Sequence, residues 1–162
     1  MSVYLDLNLL VLLGIANGVP VFAKDALGRR LSYPLDGGTP FFDRQPLFGP
    51  SKTLRGIILS LLITALVAPI LRIDWNIGLL IAALAMLGDL FSSFLKRRMR
   101  LASSTMAIGL DQLPESLIPL LACAPFLTLT VADIASVTAC FFAGELFLSR
   151  LLYKVHLRDR PY

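Results

Sequence analysis

Histidine is almost missing from this chain: His156, near the C-terminus among Lys154, Arg158 and Arg160, is the only one. No Ser-His-Asp order and no His-Glu-x-x-His helix can be written from such a sequence. Cysteine is nearly as scarce. Cys123 and Cys140 lie in apolar stretches at a spacing that suits neither a metal site nor a disulfide framework, so both read as buried thiols. Charged residues make up only 16% of the chain, against about 25% in an ordinary soluble domain. There is no glycine-rich dinucleotide fingerprint. Gly49-Pro50-Ser51-Lys52-Thr53 imitates the end of a P-loop, but Ser51 stands where glycine should precede the lysine, and Pro50 has no N–H for a phosphate. No basic residue precedes the first apolar run, where Asp6 and Asn8 sit instead, so that run reads as a retained span and not as a cleaved signal.

What fills the chain is apolar. It is 56% hydrophobic with a mean hydropathy of +0.75 over 162 residues. A helical membrane span takes roughly 20 mostly apolar residues. The candidates are Leu5 to Ala23, Ile57 to Leu71, Ile77 to Leu95, Leu117 to Val131 and Ile134 to Leu152, of which the second and fourth are short. These leave no room for a separate soluble domain. The expected fold is therefore an all-α integral membrane protein of about five transmembrane helices, one domain over 1–162, with cytosolic segments near 24–56 and 96–115 and the first of these capping a site. Of the 15 Lys and Arg residues, all but Arg72 fall on one side of a five-span layout. The positive-inside rule then places the N-terminus outside and the C-terminus in the cytosol of the cytoplasmic membrane. The net charge of +4 becomes a basic face that attracts anionic lipids and polyphosphate solutes, or simply fixes topology. Without a soluble reader module, no nucleic-acid partner is expected.

Two polar stretches carry most of this charge. In the first, four prolines and five glycines between Lys24 and Gly56 forbid a long helix. Phe41, Phe42, Leu47 and Phe48 are nonetheless too apolar for a solvated linker, so the segment should fold back on the membrane face. Upstream, Asn17-Gly18-Val19-Pro20 interrupts the first span, with a kink or early stop expected at Pro20. In the third span Asp89, Ser92, Ser93, Lys96 and Arg100 share one helical face. Asp89 lies roughly 10 Å deeper than Lys96 at about 1.5 Å per residue. An acid at a span centre costs about 2.5–3.5 kcal/mol on insertion scales, so it needs a partner. That partner is a metal ion or a nearby cation such as Lys96 or Arg55. Asp111 and Gln112 precede Pro114 at a helix start, where Asp111 either caps the helix or joins Asp89 in a shared role. Glu145 reads as the ion-pair partner of Arg150 or of a cation from another helix, ahead of a catalytic role. Asp6, Asp74 and Asp133 fall at the outer end and read as solvated.

Taken in order, Asn17-Gly18 with Pro20, Pro34-Leu35-Asp36-Gly37-Gly38, Phe42-Asp43, Phe48-Gly49, Lys52-Thr53, Arg55-Gly56, Gly88-Asp89-Leu90, Ser93-Phe94, Lys96-Arg97-Arg98 and Asp111-Gln112 resemble the CDP-archaeol synthase family, relatives of the phosphatidate cytidylyltransferases. The loop departs from that pattern at Asp43-Arg44-Gln45, where Asp-Gly-Arg is more usual. The Lys-Asp pair and Gly-His-Gly-Gly run of the larger bacterial enzymes are absent. The resemblance implies a nucleotidyl transfer in which CTP and a lipid monophosphate give a CDP-lipid and pyrophosphate. The nucleophile is a phosphate oxygen already ionised at neutral pH, so positioning and charge neutralisation matter more than a general base. Mg²⁺ suits one or two carboxylates plus substrate phosphates. On this reading Asp89 and Asp111 are its ligands, and Ser92, Ser93 and Gln112 support them. Lys52, Arg55, Lys96 and Arg97 hold the phosphates, with Asn17 and Thr53 as further substrate contacts. Asp36 and Asp43 organise the loop or reach the metal or nucleotide.

Two other classes stay open. A non-catalytic protein that binds or transports an anionic lipid or phosphorylated solute explains the cations but not the two acids. A CDP-alcohol phosphotransferase would begin its motif with Asp-Gly inside a helix, whereas Asp36-Gly37 is followed by Gly-Thr-Pro. The identity of the lipid and the existence of a homo-oligomer are not legible.

Overall fold

In the computed structural model the described residues are 3–28, 30–103, 105 and 107–154, without the side chains of 152–154. Arg29, His156, Arg158, Arg160 and the Lys154 side chain, which entered the charge argument above, lie outside them. Five helices follow one another: α1 (Val3–Leu27), α2 (Leu54–Val67), α3 (Trp75–Arg98), α4 (Gln112–Leu127) and α5 (Val131–Lys154). Among the described residues there is no strand, only isolated bridges at Pro34–Thr53 and Pro40–Pro46 in the α1–α2 loop. The α3 helix is central, packing against α1, α2 and α4, while α5 rests on α4 and α1. Leu9, Leu12, Leu13, Ile81, Ala85, Leu120 and Phe141 form the apolar centre.

Four helices have the length and hydropathy of spans: Val3–Leu27, Leu54–Leu71, Trp75–Arg98 and Val131–Leu151. The second reaches 18 residues only because a 3₁₀ turn over Ala68–Leu71 prolongs α2. At 16 residues, α4 is too short to count with them. It also begins at Gln112, earlier than the apolar run at Leu117, because its first turns are polar and face a cavity.

Pro20 does not stop α1, which continues to Leu27. A proline leaves the carbonyl four residues earlier without its helical donor. Here that carbonyl belongs to Ala16, and the buried Ser60 hydroxyl of α2 donates to it at 2.7 Å. Pro20 itself packs on Gly56, where a Cβ would stand 3.1 Å from the proline ring. A missing side chain and a hydroxyl from α2 thus absorb the break in α1.

The α3–α4 contact depends on Gly88. A methyl group there would come within 2.4 Å of the Pro114 carbonyl oxygen, backbone that has no room to move. Gly78 plays the same part against Ala68 at the other end, at 2.4 Å. Asp133 is not left in solvent. Its carboxylate accepts from the Thr130 N–H and hydroxyl, and its own N–H donates to the Thr130 hydroxyl, so the pair caps the start of α5.

Candidate active site

Several orphaned or mismatched residues of the sequence find their use at one end of the bundle. A cavity of about 440 Å³ opens there. The last turns of α1 give Asn17, Lys24 and Asp25. The loop and first turn of α2 give Phe48, Ser51, Lys52, Thr53 and Gly56. From α3 come Asp89, Ser93, Lys96 and Arg97, and from the segment into α4 come Asp111 and Glu115, while α5 adds Glu145. Five carboxylates and four cations line one chamber. A polar chamber of this size between apolar helices, with charge of both signs, is the arrangement of a charged-substrate site.

The acids and cations are already paired. The Lys52 ammonium sits 2.5 Å from both carboxylate oxygens of Asp89. Burial pulls the Lys52 ammonium towards a lower pKa, but Asp89, with Glu115 and Asp111 behind it, outweighs this and holds it above its ordinary value. Lys96 Nζ lies 2.7 Å from Asp111 Oδ1 without hydrogen-bond geometry, and donates instead to the Thr105 carbonyl at 3.1 Å. Asp111 occupies the N-cap position of α4 but caps nothing with its side chain. Its Oδ2 accepts from the Ala107 N–H at 2.9 Å, which folds the incoming segment and presents Oδ1 to the chamber side. Both expected key acids therefore line the same cavity, each beside a lysine.

Glu115 is what the sequence reading missed. It is buried, and it lines the same chamber as Asp89 and Glu145, both electrostatically close to it. A signal existed: Glu115 is four residues after Asp111, one helical turn, hence on the same face. A hydropathy window that started the span at Leu117 separated it from the helix. Glu145 likewise lines this chamber, where the sequence had favoured a pairing role over a catalytic one.

Other expected site residues serve the frame. Arg55 spends its guanidinium on the carbonyls of Gly28 and Arg30, tying down the exit of α1, and does not line the cavity. Thr53 does line it, yet its hydroxyl accepts from the Gly56 N–H as the N-cap of α2. Ser92 bonds back to the Asp89 carbonyl, and Gln112 accepts from the Gly109 N–H, and both are fully buried outside the cavity wall. Asp36 is a loop organiser: one oxygen accepts from the Phe48 and Gly49 N–H groups at 3.0 and 2.9 Å, the other from Gly38 at 3.0 Å. Burial alone would push its carboxyl up, but these donors hold it below the ordinary carboxylate range. Gly38 and Gly49 have φ of +76° and +91°, conformations that favour glycine. Asp43 is bound by Arg98 at 2.7 Å, away from the cavity. Arg98 also stacks on Phe41 and Phe94 and donates to the Pro46 carbonyl at 2.6 Å, so it pins the loop to the end of α3. Cys123 is buried as expected, but Cys140 is exposed on α5.

A family model described as CarS-like CDP-archaeol synthase matches residues 15–162, which includes every part of this cavity. The chain belongs to the CDP-archaeol synthase family. It is accordingly an integral membrane enzyme, a cytidylyltransferase of lipid biosynthesis. A CDP-archaeol synthase of Sulfurisphaera tokodaii is 29% identical over 154 residues, covering 91% of this chain and 89% of the relative. One from Saccharolobus islandicus is 34% identical over 122 residues, 70% of each chain. A solved structure described as an intramembrane enzyme for archaeal membrane lipid biosynthesis superposes with a TM-score of 0.70 over 85% of this chain and 90% of that one. At 23% identity it supports the helical fold.

Proposed function

We propose that this protein transfers the cytidylyl group of CTP to a lipid monophosphate in the membrane, forming a CDP-lipid and releasing pyrophosphate. The observation that carries the reading is the paired chamber: Asp89 with Lys52 and Asp111 with Lys96 at the membrane-surface end of the bundle. A phosphate oxygen of the lipid forms a bond to the α-phosphorus of CTP, and the bond between that phosphorus and the bridging oxygen to the β-phosphate breaks. The electron pair leaves with pyrophosphate, and no proton has to move. Lys52, Lys96 and Arg97 exchange their carboxylate and carbonyl partners for phosphate oxygens, and so hold the chain of phosphates in line. Ser93, Asn17 and Thr53 border the same space and offer uncharged hydrogen bonds. With the two routes in separate media, the lipid enters from the bilayer and CTP from the aqueous face.

Among the described residues no three acidic, histidine or cysteine side chains converge as a ready-made metal cage. Mg²⁺ does not require one, since it keeps waters and takes one or two carboxylates together with substrate phosphates. Two features fit it. Asp111 Oδ1 is buried with no hydrogen bond, held only by its ion pair with Lys96, and Asp89 and Glu115 line the same chamber. Asp89 and Asp111, with Glu115 beside them, would hold the ion, which supplies neutralisation of the charge that builds on the phosphates. The carboxylates then lose their lysines to substrate without being left uncompensated.

The name of the related enzymes points to an archaeol-type ether lipid, with diacylglycerol and polyprenyl phosphates as the competing chemistries. Purified protein given CTP, each of the three lipid phosphates and Mg²⁺ should yield a CDP-lipid identified by mass, together with pyrophosphate. Chelation of divalent ions should stop it. Release of CMP from a CDP-lipid, or lipid binding with no transfer, would move the protein to one of the other classes.

A further inference from the structure

A second cavity, about 260 Å³, runs between α1 and α5 and bears on how the lipid reaches the charged chamber. Its walls are mostly apolar or bare: Leu10, Gly14 and Gly18 on α1, Phe141, Gly144 and Leu148 on α5. A Cβ built at Gly14 or at Gly144 meets nothing within 4 Å, so the glycines leave a trench that no side chain of this protein fills. From Leu10 to Phe22 the trench follows about 18 Å of α1. At its polar end Asn17, Val21 and Glu145 line both cavities, so the trench and the chamber adjoin. Asn17 Nδ2 is bound to the Leu13 carbonyl at 3.1 Å, but its Oδ1 is buried without a partner at this junction.

The division of charge identifies the occupant. The trench is lined by no lysine or arginine, while the adjoining chamber holds four. A molecule with an apolar chain and a phosphate end fits across the two, whereas a wholly anionic solute fits only the chamber. We infer that the α1–α5 trench seats one hydrocarbon chain of the lipid phosphate, whose phosphate passes Asn17 and Glu145 to reach the cations. This rests on the cytidylyltransferase reading above. It makes Gly14 and Gly144 determinants of chain accommodation, through the space they leave, and explains why α1 and α5 carry glycine at membrane depth, where it packs nothing.

The test fills the trench. Gly14→Leu and Gly144→Leu should each raise KM for a long-chain lipid phosphate about tenfold, while kcat/KM for a short-chain one stays within about twofold. Equal shifts for both substrates, or none for either, would overturn the assignment. The native protein gives a second measurement that no variant can confound by misfolding. Cys140 lines the trench and is exposed, whereas Cys123 is buried and serves as the internal control. Long-chain lipid phosphate added without CTP should slow alkylation of Cys140 by N-ethylmaleimide several-fold, and short-chain phosphate should not. An unprotected Cys140 would remove the chain from the trench, and protection that follows protein concentration instead of lipid would give the trench to a second copy. If no lipid phosphate accepts CMP, the cytidylyltransferase reading fails, yet protection of Cys140 still reports on the trench.

Discussion

At the scale of residues, the proposed chemistry turns on two ion pairs whose members would trade partners for substrate phosphates. Breaking a buried pair by removing one member leaves an uncompensated charge, which costs about 3–5 kcal/mol. Lys52→Ala should therefore lower thermal stability and raise KM for CTP by about tenfold, because it strips Asp89 of its partner and the triphosphate of an anchor. Asp89→Asn should abolish turnover in a protein that still folds and inserts. In the double variant Lys52→Ala/Asp89→Asn, unfolding temperature should return towards that of the native protein without any turnover. Recovery of activity would reduce the pair to scaffolding. Asp36 gives the pH test. Its folded pKa is depressed, so its contribution is present above the ordinary carboxylate value of 3.8 and fades only as pH falls through the lower folded value. Asp36→Asn should cost about 1–3 kcal/mol of loop stability at neutral pH, by spoiling an acceptor of several backbone donors. Faster trypsin cleavage at Arg44, in the loop it organises, is the readout, and an unchanged rate would count against the role.

At the scale of elements, spacing between helices decides whether the acids meet. Asp89 belongs to α3 and Glu115 to α4, and Gly88 lets those backbones touch. Gly88→Ala must push α4 away or bend α3, at about 1–3 kcal/mol for overpacking. A displacement of the order of 1 Å at a reacting centre costs about a hundredfold in rate, so kcat should fall far more than the unfolding temperature. Turnover within about twofold of the native rate would mean the α3–α4 distance is not critical. Helix α1 illustrates the same dependence on neighbours. Pro20 promised a break, but the Ser60 hydroxyl and the bare Gly56 let the helix run on, carrying Lys24 and Asp25 to the chamber.

At the scale of the molecule, one end of the bundle gathers the C-terminal turns of α1 and α3, the N-terminal turns of α2 and α4, and Glu145 of α5. Among the described residues nearly all cations belong to that end, with Arg72 at the other. We propose from the positive-inside rule that it is the cytosolic end, where CTP is available. A reporter fused to the C-terminus should be active in the cytosol and one fused to the N-terminus outside. The reverse result would place the chamber on the wrong face for its nucleotide.

Hydropathy and charge, both local sums over the sequence, were enough to define a helical membrane protein and to single out Asp89, because a charge in an apolar run has few inexpensive explanations, with Asp111 joined to it by lying on the same side. The roles of Lys52 and Lys96 came with the resemblance of the motif order to the family. What no local sum contains is which side chains face inward once helices cross. Only the tertiary structure gave Lys52 to Asp89, turned Arg55 and Asp36 to holding backbone, brought Glu115 and Glu145 to the chamber, and left a trench beside Gly14 and Gly144. Those outcomes follow from helix contacts between residues far apart in sequence, where an absent Cβ or a single hydroxyl sets the distance.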